Sequence, residues 1–97
     1  DMDGALSDIR LALEGDPNNA LYLAEEGSIY LRKQDFAKAR QSLERCIAQA
    51  PDFSAGHRLL GLCLVRSGKK AEGCRAFERA KELGDPVVER LMKQHCQ

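Results

Sequence analysis

Two histidines, four cysteines and fifteen carboxylates are the side chains of this chain with the widest chemical reach. A histidine acts as a base only where a hydroxyl, thiol or carboxylate is arranged to share its proton. His57 falls at a core-type position of a helical pattern and reads as a packed histidine, while His95 stands near the end of the chain and reads as solvated. Neither has a Ser-Asp, Cys or metal-ligand arrangement beside it. Cys46, Cys63, Cys74 and Cys96 form no C-x-x-C pair, and their spacings match no zinc knuckle or ribbon. An even number would permit two disulfides, but packed helices do not need them, and the four read as buried or half-buried reduced thiols. That reading leans towards a reducing compartment, the cytoplasm. The carboxylates are scattered as helix surfaces and caps require, and no Gly-rich phosphate loop follows a strand. The chain therefore reads as a non-enzyme, with no metal site and no cofactor.

Hydrophobic residues make up 43% of the 97 positions and charged ones 31%, enough for one modest domain. Aromatics contribute 5% with no Trp, so Leu, Ala, Ile and Val must build the core, which suits closely packed helices. The formal net charge is zero, whereas phosphate neutralisation normally needs a basic excess. Aromatic stacking platforms are missing too, so nucleic acid is disfavoured as a partner. The zero conceals a gradient: residues 1–19 hold Asp1, Asp3, Asp8, Glu14 and Asp16 against Arg10, while Lys38 to Glu82 is positive on balance. No apolar run approaches the roughly 20 residues of a membrane span. The opening Asp-Met-Asp-Gly, without an initial Met, suggests a piece of a longer protein.

The elements that position these side chains repeat. Pro17, Pro51 and Pro86 stand 34 and 35 residues apart. At a constant offset of 34, Leu23, Glu26, Gly27 and Tyr30 align with His57, Leu60, Gly61 and Leu64. Ala39, Leu43 and Cys46 align in the same way with Gly73, Phe77 and Ala80. Each unit splits into two helical patterns joined by a short polar turn, Lys33-Gln34-Asp35 or Ser67-Gly68-Lys69. Asp35 can cap the helix it precedes, and Gly68 can take the left-handed conformation that ends one. Glycine inside a helix costs roughly 1 kcal/mol against alanine. Gly27 and Gly61 at equivalent interior positions therefore predict close helix approach, with Ala39, Cys46, Gly73 and Ala80 as small counterparts. Residues 3–15 read as the second helix of a preceding unit, because Ala5, Ile9 and Ala12 precede Pro17 as Ala39, Leu43 and Cys46 precede Pro51. Residues 87–97 read as a capping helix with Val88, Leu91 and Met92 on its apolar side.

These residues resemble the tetratricopeptide repeat, whose signature is an aromatic, Leu-Gly and Tyr in the first helix, then Ala, Phe and Pro in and after the second. The first full repeat, 20–51, supplies Leu23, Glu26-Gly27, Tyr30, Ala39, Leu43 and Pro51. The second, 54–86, supplies His57, Leu60-Gly61, Leu64, Gly73, Phe77 and Pro86. No Trp starts either repeat, Glu26 replaces an apolar residue, and Gly73 stands where Ala is usual. The resemblance implies an all-α fold, a right-handed superhelical solenoid of antiparallel helix pairs, about six helices in a single domain over 1–97. It also implies a concave face lined by the first helix of each pair. Exposed positions there correspond to Leu21, Ala24, Ser28, Leu31 and Arg32, and to Ala55, Arg58, Leu62, Val65 and Arg66. Relatives that clamp a terminal carboxylate use Lys, Asn and Arg on this face. Only Arg58 falls on such a position, with Ala24, Ser28 and Leu62 replacing others, so that clamp is not expected.

The expected function is a protein-interaction module or scaffold segment that takes a peptide or helix on the concave face. Arginines fork onto carboxylates, so an acidic and apolar partner fits. The alternative is a structural or self-associating segment of a larger repeat protein, pairing through the edge at residues 3–15.

Overall fold

Helices form where the sequence offers both an apolar stripe and an acceptor for the free amides of the first turn. The computed structural model describes residues 1–97 and contains six: α1 (Met2–Gly15), α2 (Ala20–Arg32), α3 (Phe36–Gln49), α4 (Ser54–Arg66), α5 (Lys70–Glu82) and α6 (Val88–His95). Asn19 Oδ1 accepts from the Tyr22 amide at 3.0 Å to open α2, and Asp35 Oδ1 accepts from the Lys38 amide at 3.2 Å to open α3. Three helices stop on the same device. The Asp35 amide donates back to the Tyr30 carbonyl, Lys69 to Leu64 and Asp85 to Ala80, each through a residue of positive φ: Gln34, Gly68 or Gly84. Gly84 therefore ends α5, and this turn accounts for the longer second proline interval.

The helices pack as antiparallel pairs, α2 on α3 and α4 on α5, with α1 against α2 and α6 against α5. On one side α2 touches α4 and α4 touches α6, whereas no such contact joins α1 to α3 or α3 to α5. The first helices of the pairs thus crowd together and form the concave side. The core runs through the stack in layers. Ile9, Ile29, Tyr30, Leu43, Leu60 and Leu64 belong to its main cluster, and Phe77, Ala80 and Val88 close the α6 end.

The glycine spacing has its physical reason at the pair interfaces. A Cβ on Gly61 would lie 2.5 Å from the Phe77 ring and 2.9 Å from the Gly73 carbonyl oxygen, so α4 and α5 meet backbone to backbone. Gly27 makes room for a large side chain instead: a Cβ there would lie 2.6 Å from Leu43 Cγ and Cδ2.

The cysteines divide into two kinds, which corrects the expectation of four reduced thiols. Cys74 and Cys96 form a disulfide, their Cα atoms 5.8 Å apart, and this bond fastens the end of α6 to α5. The sequence gives no spacing motif for the pair; they meet because α6 folds back along α5. The bond removes the ground on which a reducing compartment was inferred. Cys46 and Cys63 are free and buried, and burial pushes both thiols up. Their Sγ atoms donate to the Ala20 and Phe36 carbonyls at 3.3 Å. No helix is long and apolar enough to cross a membrane.

Candidate functional site

The concave positions begin with α2. Leu21 is 56% exposed, Arg32 is exposed and Ser28 is half-buried. Ala24 and Leu31, expected on the open surface, are instead buried at 4% and 3% exposure. The close approach of α2 and α4 covers them. Leu59 packs against the cluster that contains Ala24, and Leu31 shares the main core with Leu60 and Leu64.

On α4, Ala55, Leu62 and Val65 are half-buried and Arg66 is exposed. Leu62 packs against both the main core and the Phe77 cluster, so it serves the interior and the surface together. Arg58 has a different occupation from the one its position implied. Its guanidinium donates to both carboxylate oxygens of Asp85, at 2.9 and 3.2 Å, with the Asp85 side chain only 1% exposed. Asp85 also takes the Ser54 hydroxyl at 3.2 Å and the Val87 and Val88 amides at 2.9 and 3.0 Å. This carboxylate caps α6 and ties it to α4, with Arg58 Nη1 committed to it. Sequence reading missed Asp85 because it stands in a turn. The signal available was an Asp three residues before an apolar helical residue, Val88, the spacing of a cap.

Arg32 and Arg66 are different. Each closes its helix, they are one 34-residue offset apart, and neither makes an ion pair inside the molecule. A helix C-terminus is partially negative, which stabilises a cation placed there.

Two depressions flank this face. A groove of about 470 Å³ lies between α1 and α2, lined by Ala5, Ile9, Ala12, Tyr22 and Ile29 with Asp8, Glu25, Ser28 and Arg32. Ser28 and Arg32 are the only expected site residues it contains. Tyr22, Ser28–Ile29 and Arg32 recur at helical spacing, on a stripe distinct from the Leu23, Gly27 and Tyr30 stripe, and that second periodicity was the legible sign. On the outer side, a polar hollow of about 670 Å³ includes Arg10, Glu26, Tyr30, Lys38 and Ser42. Its groups largely satisfy one another: Arg10 donates to Tyr30 Oη, and Ser42 donates to Glu26 at 2.7 Å.

Reactive geometry is lacking. His57 Nε2 lies 2.8 Å from the Pro51 carbonyl oxygen, and His95, expected to be solvated, is half-buried with its ring 6.3 Å from that of Phe77. No group of three or more His, Cys, Asp or Glu side chains could hold a metal ion.

Stacked antiparallel helix pairs with an open inner face define a helical-repeat scaffold. The family model described as tetratricopeptide repeat matches residues 20–53. The TPR repeat-containing protein PA0015 of Pseudomonas aeruginosa is 35% identical over 79 residues, which cover 77% of this chain and 75% of that protein. The chain belongs to the tetratricopeptide repeat family. It is also 31% identical over 83 residues to lipopolysaccharide assembly protein B of Escherichia coli, spanning 84% of this chain but only 21% of that protein. The solved first TPR of Spaghetti, bound to an HSP90 peptide, superposes with a TM-score of 0.91 at 20% identity, covering 99% of this chain and 78% of that one. That likeness confirms the all-α superhelical fold. As a member of a family of non-catalytic scaffolds, the chain is not an enzyme.

Proposed function

We propose that this chain is a protein-interaction module that receives an acidic, apolar peptide or helix across the face of α2 and α4. Residues 20–51 and 54–86 act as its two full repeats, with 3–15 and 87–97 as flanking helices. The observation that carries this reading is the pair Arg32 and Arg66, exposed, unpaired and repeated at the same end of successive inner helices. Between and beside them, Leu21, Ala55, Leu62 and Val65 offer apolar surface and Ser28 a hydroxyl. Guanidinium groups bind carboxylates in a forked geometry, so carboxylates of the partner meet the two arginines while its apolar side lies on the leucines. The solved Spaghetti domain carries a peptide, which supports peptide capture by this architecture. Arg58, the single clamp-type side chain, is held by Asp85, which supports a partner recognised along its length and not by a terminal carboxylate.

The test is a panel of labelled peptides that combine Leu with Asp or Glu, followed by fluorescence anisotropy. The double change Arg32→Glu and Arg66→Glu should weaken the best binder by at least about tenfold. Reversal of Arg75 on α5, to Glu, should leave it unchanged. Equal affinity for the double variant and the parent, or no binder among the acidic peptides, would remove this reading.

A second reading, self-association, is favoured only by the open groove beside α1. Residues 1–19 carry five acidic side chains against Arg10, so two copies meeting at this edge would repel.

A further inference from the structure

Helices α1 and α3 do not touch, and the gap between them over α2 is the polar hollow of about 670 Å³. Every residue that lines it belongs to one of these three helices, so its formation does not depend on what precedes residue 1 or follows residue 97. Arg10 from α1 and Lys38 from α3 converge on the Tyr30 ring, 5.9 and 5.8 Å from its centre. The ring attracts each cation but leaves their mutual repulsion uncompensated. Neither has a carboxylate within ion-pair distance, and nor has Arg45, which donates instead to the Pro17 carbonyl at 3.1 Å. The acids of the hollow are turned to other donors: Glu26 takes the Ser42 hydroxyl at 2.7 Å, and Glu44 pairs with Arg40 at 3.2 Å. Tyr30 is 5% exposed, and its hydroxyl accepts from Arg10 while its own proton meets no acceptor. The repeat itself does not call for this set. In the corresponding gap, between α3 and α5 over α4, there is no hollow, and Leu60 and Leu64 replace Glu26 and Tyr30. Arg10 and Lys38 correspond there to Glu44 and Glu72, so the charge at these two positions is reversed.

We infer that this hollow binds the phosphoryl group of a phosphorylated side chain on a partner protein, seated between Arg10 and Lys38 over the Tyr30 hydroxyl. A phosphoryl group carries nearly two negative charges at neutral pH and three strong acceptor oxygens. The two cations on opposite walls match that charge, and with the free Tyr30 proton they supply a donor for each oxygen. A carboxylate would leave one of the cations unpaired. Glu26 and Ser42 lie one helical turn along α2 and α3 from Tyr30 and Lys38, roughly 5 Å away. The Glu26 carboxylate therefore stands beside the phosphoryl position, where it can accept a backbone amide of the arriving peptide. A chain of zero net charge with one such hollow suits a single phosphoryl group and not the phosphate run of a nucleic acid. That the group belongs to a protein rests on the reading of this chain as an interaction module, but the inner face of α2 and α4 takes no part.

The probe is a pentapeptide with phosphoserine at the centre and alanine elsewhere, titrated at low salt into the intact 97-residue protein and followed by NMR. Saturable binding is expected with Kd below about 1 mM, and with shifts concentrated on Arg10, Tyr30 and Lys38. The same peptide with Glu for phosphoserine should bind at least about tenfold more weakly. Arg10→Gln and Lys38→Gln should each weaken the phosphopeptide by at least about tenfold, and Tyr30→Phe should weaken it too. Arg10 and Lys38 are exposed, so these two variants keep the fold, and Arg75→Gln on the exposed side of α5 is the control for net charge. The double change Arg32→Glu and Arg66→Glu, which tests the inner face, should leave phosphopeptide binding intact, so the two sites fail separately. Three outcomes would overturn the inference: no saturation at about 10 mM peptide, equal affinity for the phosphoserine and Glu peptides, or shifts on the inner face that vanish with Arg32 and Arg66. Inorganic phosphate bound as tightly as the phosphopeptide would replace the partner protein by a free anion and overturn it too.

Discussion

Gly61→Ala should destabilise this protein although alanine is the better helix former. The added Cβ would stand 2.5 Å from Phe77 Cδ1, 2.7 Å from Cε1 and 2.9 Å from the Gly73 carbonyl oxygen. Phe77 is fully buried and the carbonyl belongs to the backbone of α5, so neither can turn aside. Relief requires α4 and α5 to separate by roughly half an ångström or more, which loosens contacts along both helices. Overpacking of this kind costs about 1–3 kcal/mol and a backbone contact places it at the upper end, while helix propensity returns about 1 kcal/mol. The expected net loss is about 2 kcal/mol. For a domain of this size that lowers Tm by roughly 8–16 °C. Two further glycines calibrate the result. Gly27→Ala meets only the Leu43 side chain, which can shift a little, and should cost less, about 1 kcal/mol. Gly15→Ala has nothing within 4 Å and should stabilise by about 0.5 kcal/mol. Urea melts followed by far-UV circular dichroism suit a chain without Trp. A Gly61→Ala protein as stable as the parent, or the order of the three reversed, would refute close approach as the reason for these glycines.

Asp85→Ala should lose about 2–3 kcal/mol, because it leaves Arg58 half-buried without its partner and uncaps α6; urea melts check this, and an unchanged midpoint would show the cluster to be idle. Reducing the disulfide, or Cys74→Ser, should each remove about 3 kcal/mol for a bond that joins residues 22 apart in sequence. The serine variant's stability should then be indifferent to reductant. Without reductant, a thiol-reactive chromophore should find two slow thiols in the native protein, Cys46 and Cys63, and both promptly after unfolding. Lys33 donates to Asp3 at 2.5 Å and holds that carboxyl below its usual range. Its small contribution is therefore present at neutral pH and fades as pH falls through the lowered value. Lys33→Gln should raise the Asp3 midpoint seen by NMR titration towards that of an ordinary aspartate, and no movement would show the contact absent in solution.

The architecture was legible because it is written twice. A helix-interior glycine is costly, so its recurrence as Gly27 and Gly61 reports a packing need that holds at both places. Periodicity similarly marked the six helices, since the apolar residues of each stripe face one neighbour. The candidate site was less legible, for reasons visible in three residues. Ala24 and Leu31 were placed on the open surface by position within the repeat, yet exposure there depends on how tightly α2 approaches α4, which no local pattern specifies. The pairing of Arg58 was not legible because its partner, Asp85, lies 27 residues away in a turn. The disulfide escaped for a similar reason: the distance between Cys74 and Cys96 is set by the return path of α6, not by a spacing rule.

That return path also gives the stack a direction. An eight-residue helix is too short to persist alone. Here α6 is held at its start by the Asp85 carboxylate and at its end by a covalent bond. At the opposite edge α1 has a carboxylate cap of its own, Asp1, and the exposed Asp3–Lys33 pair, but no covalent tie. In a nearly one-dimensional assembly, where each unit leans on its neighbours, opening begins at the least restrained edge. Amide protons should therefore exchange first along α1 and last in the layers between α4 and α5. The molecule unzips from its acidic edge, away from the end that the disulfide fastens.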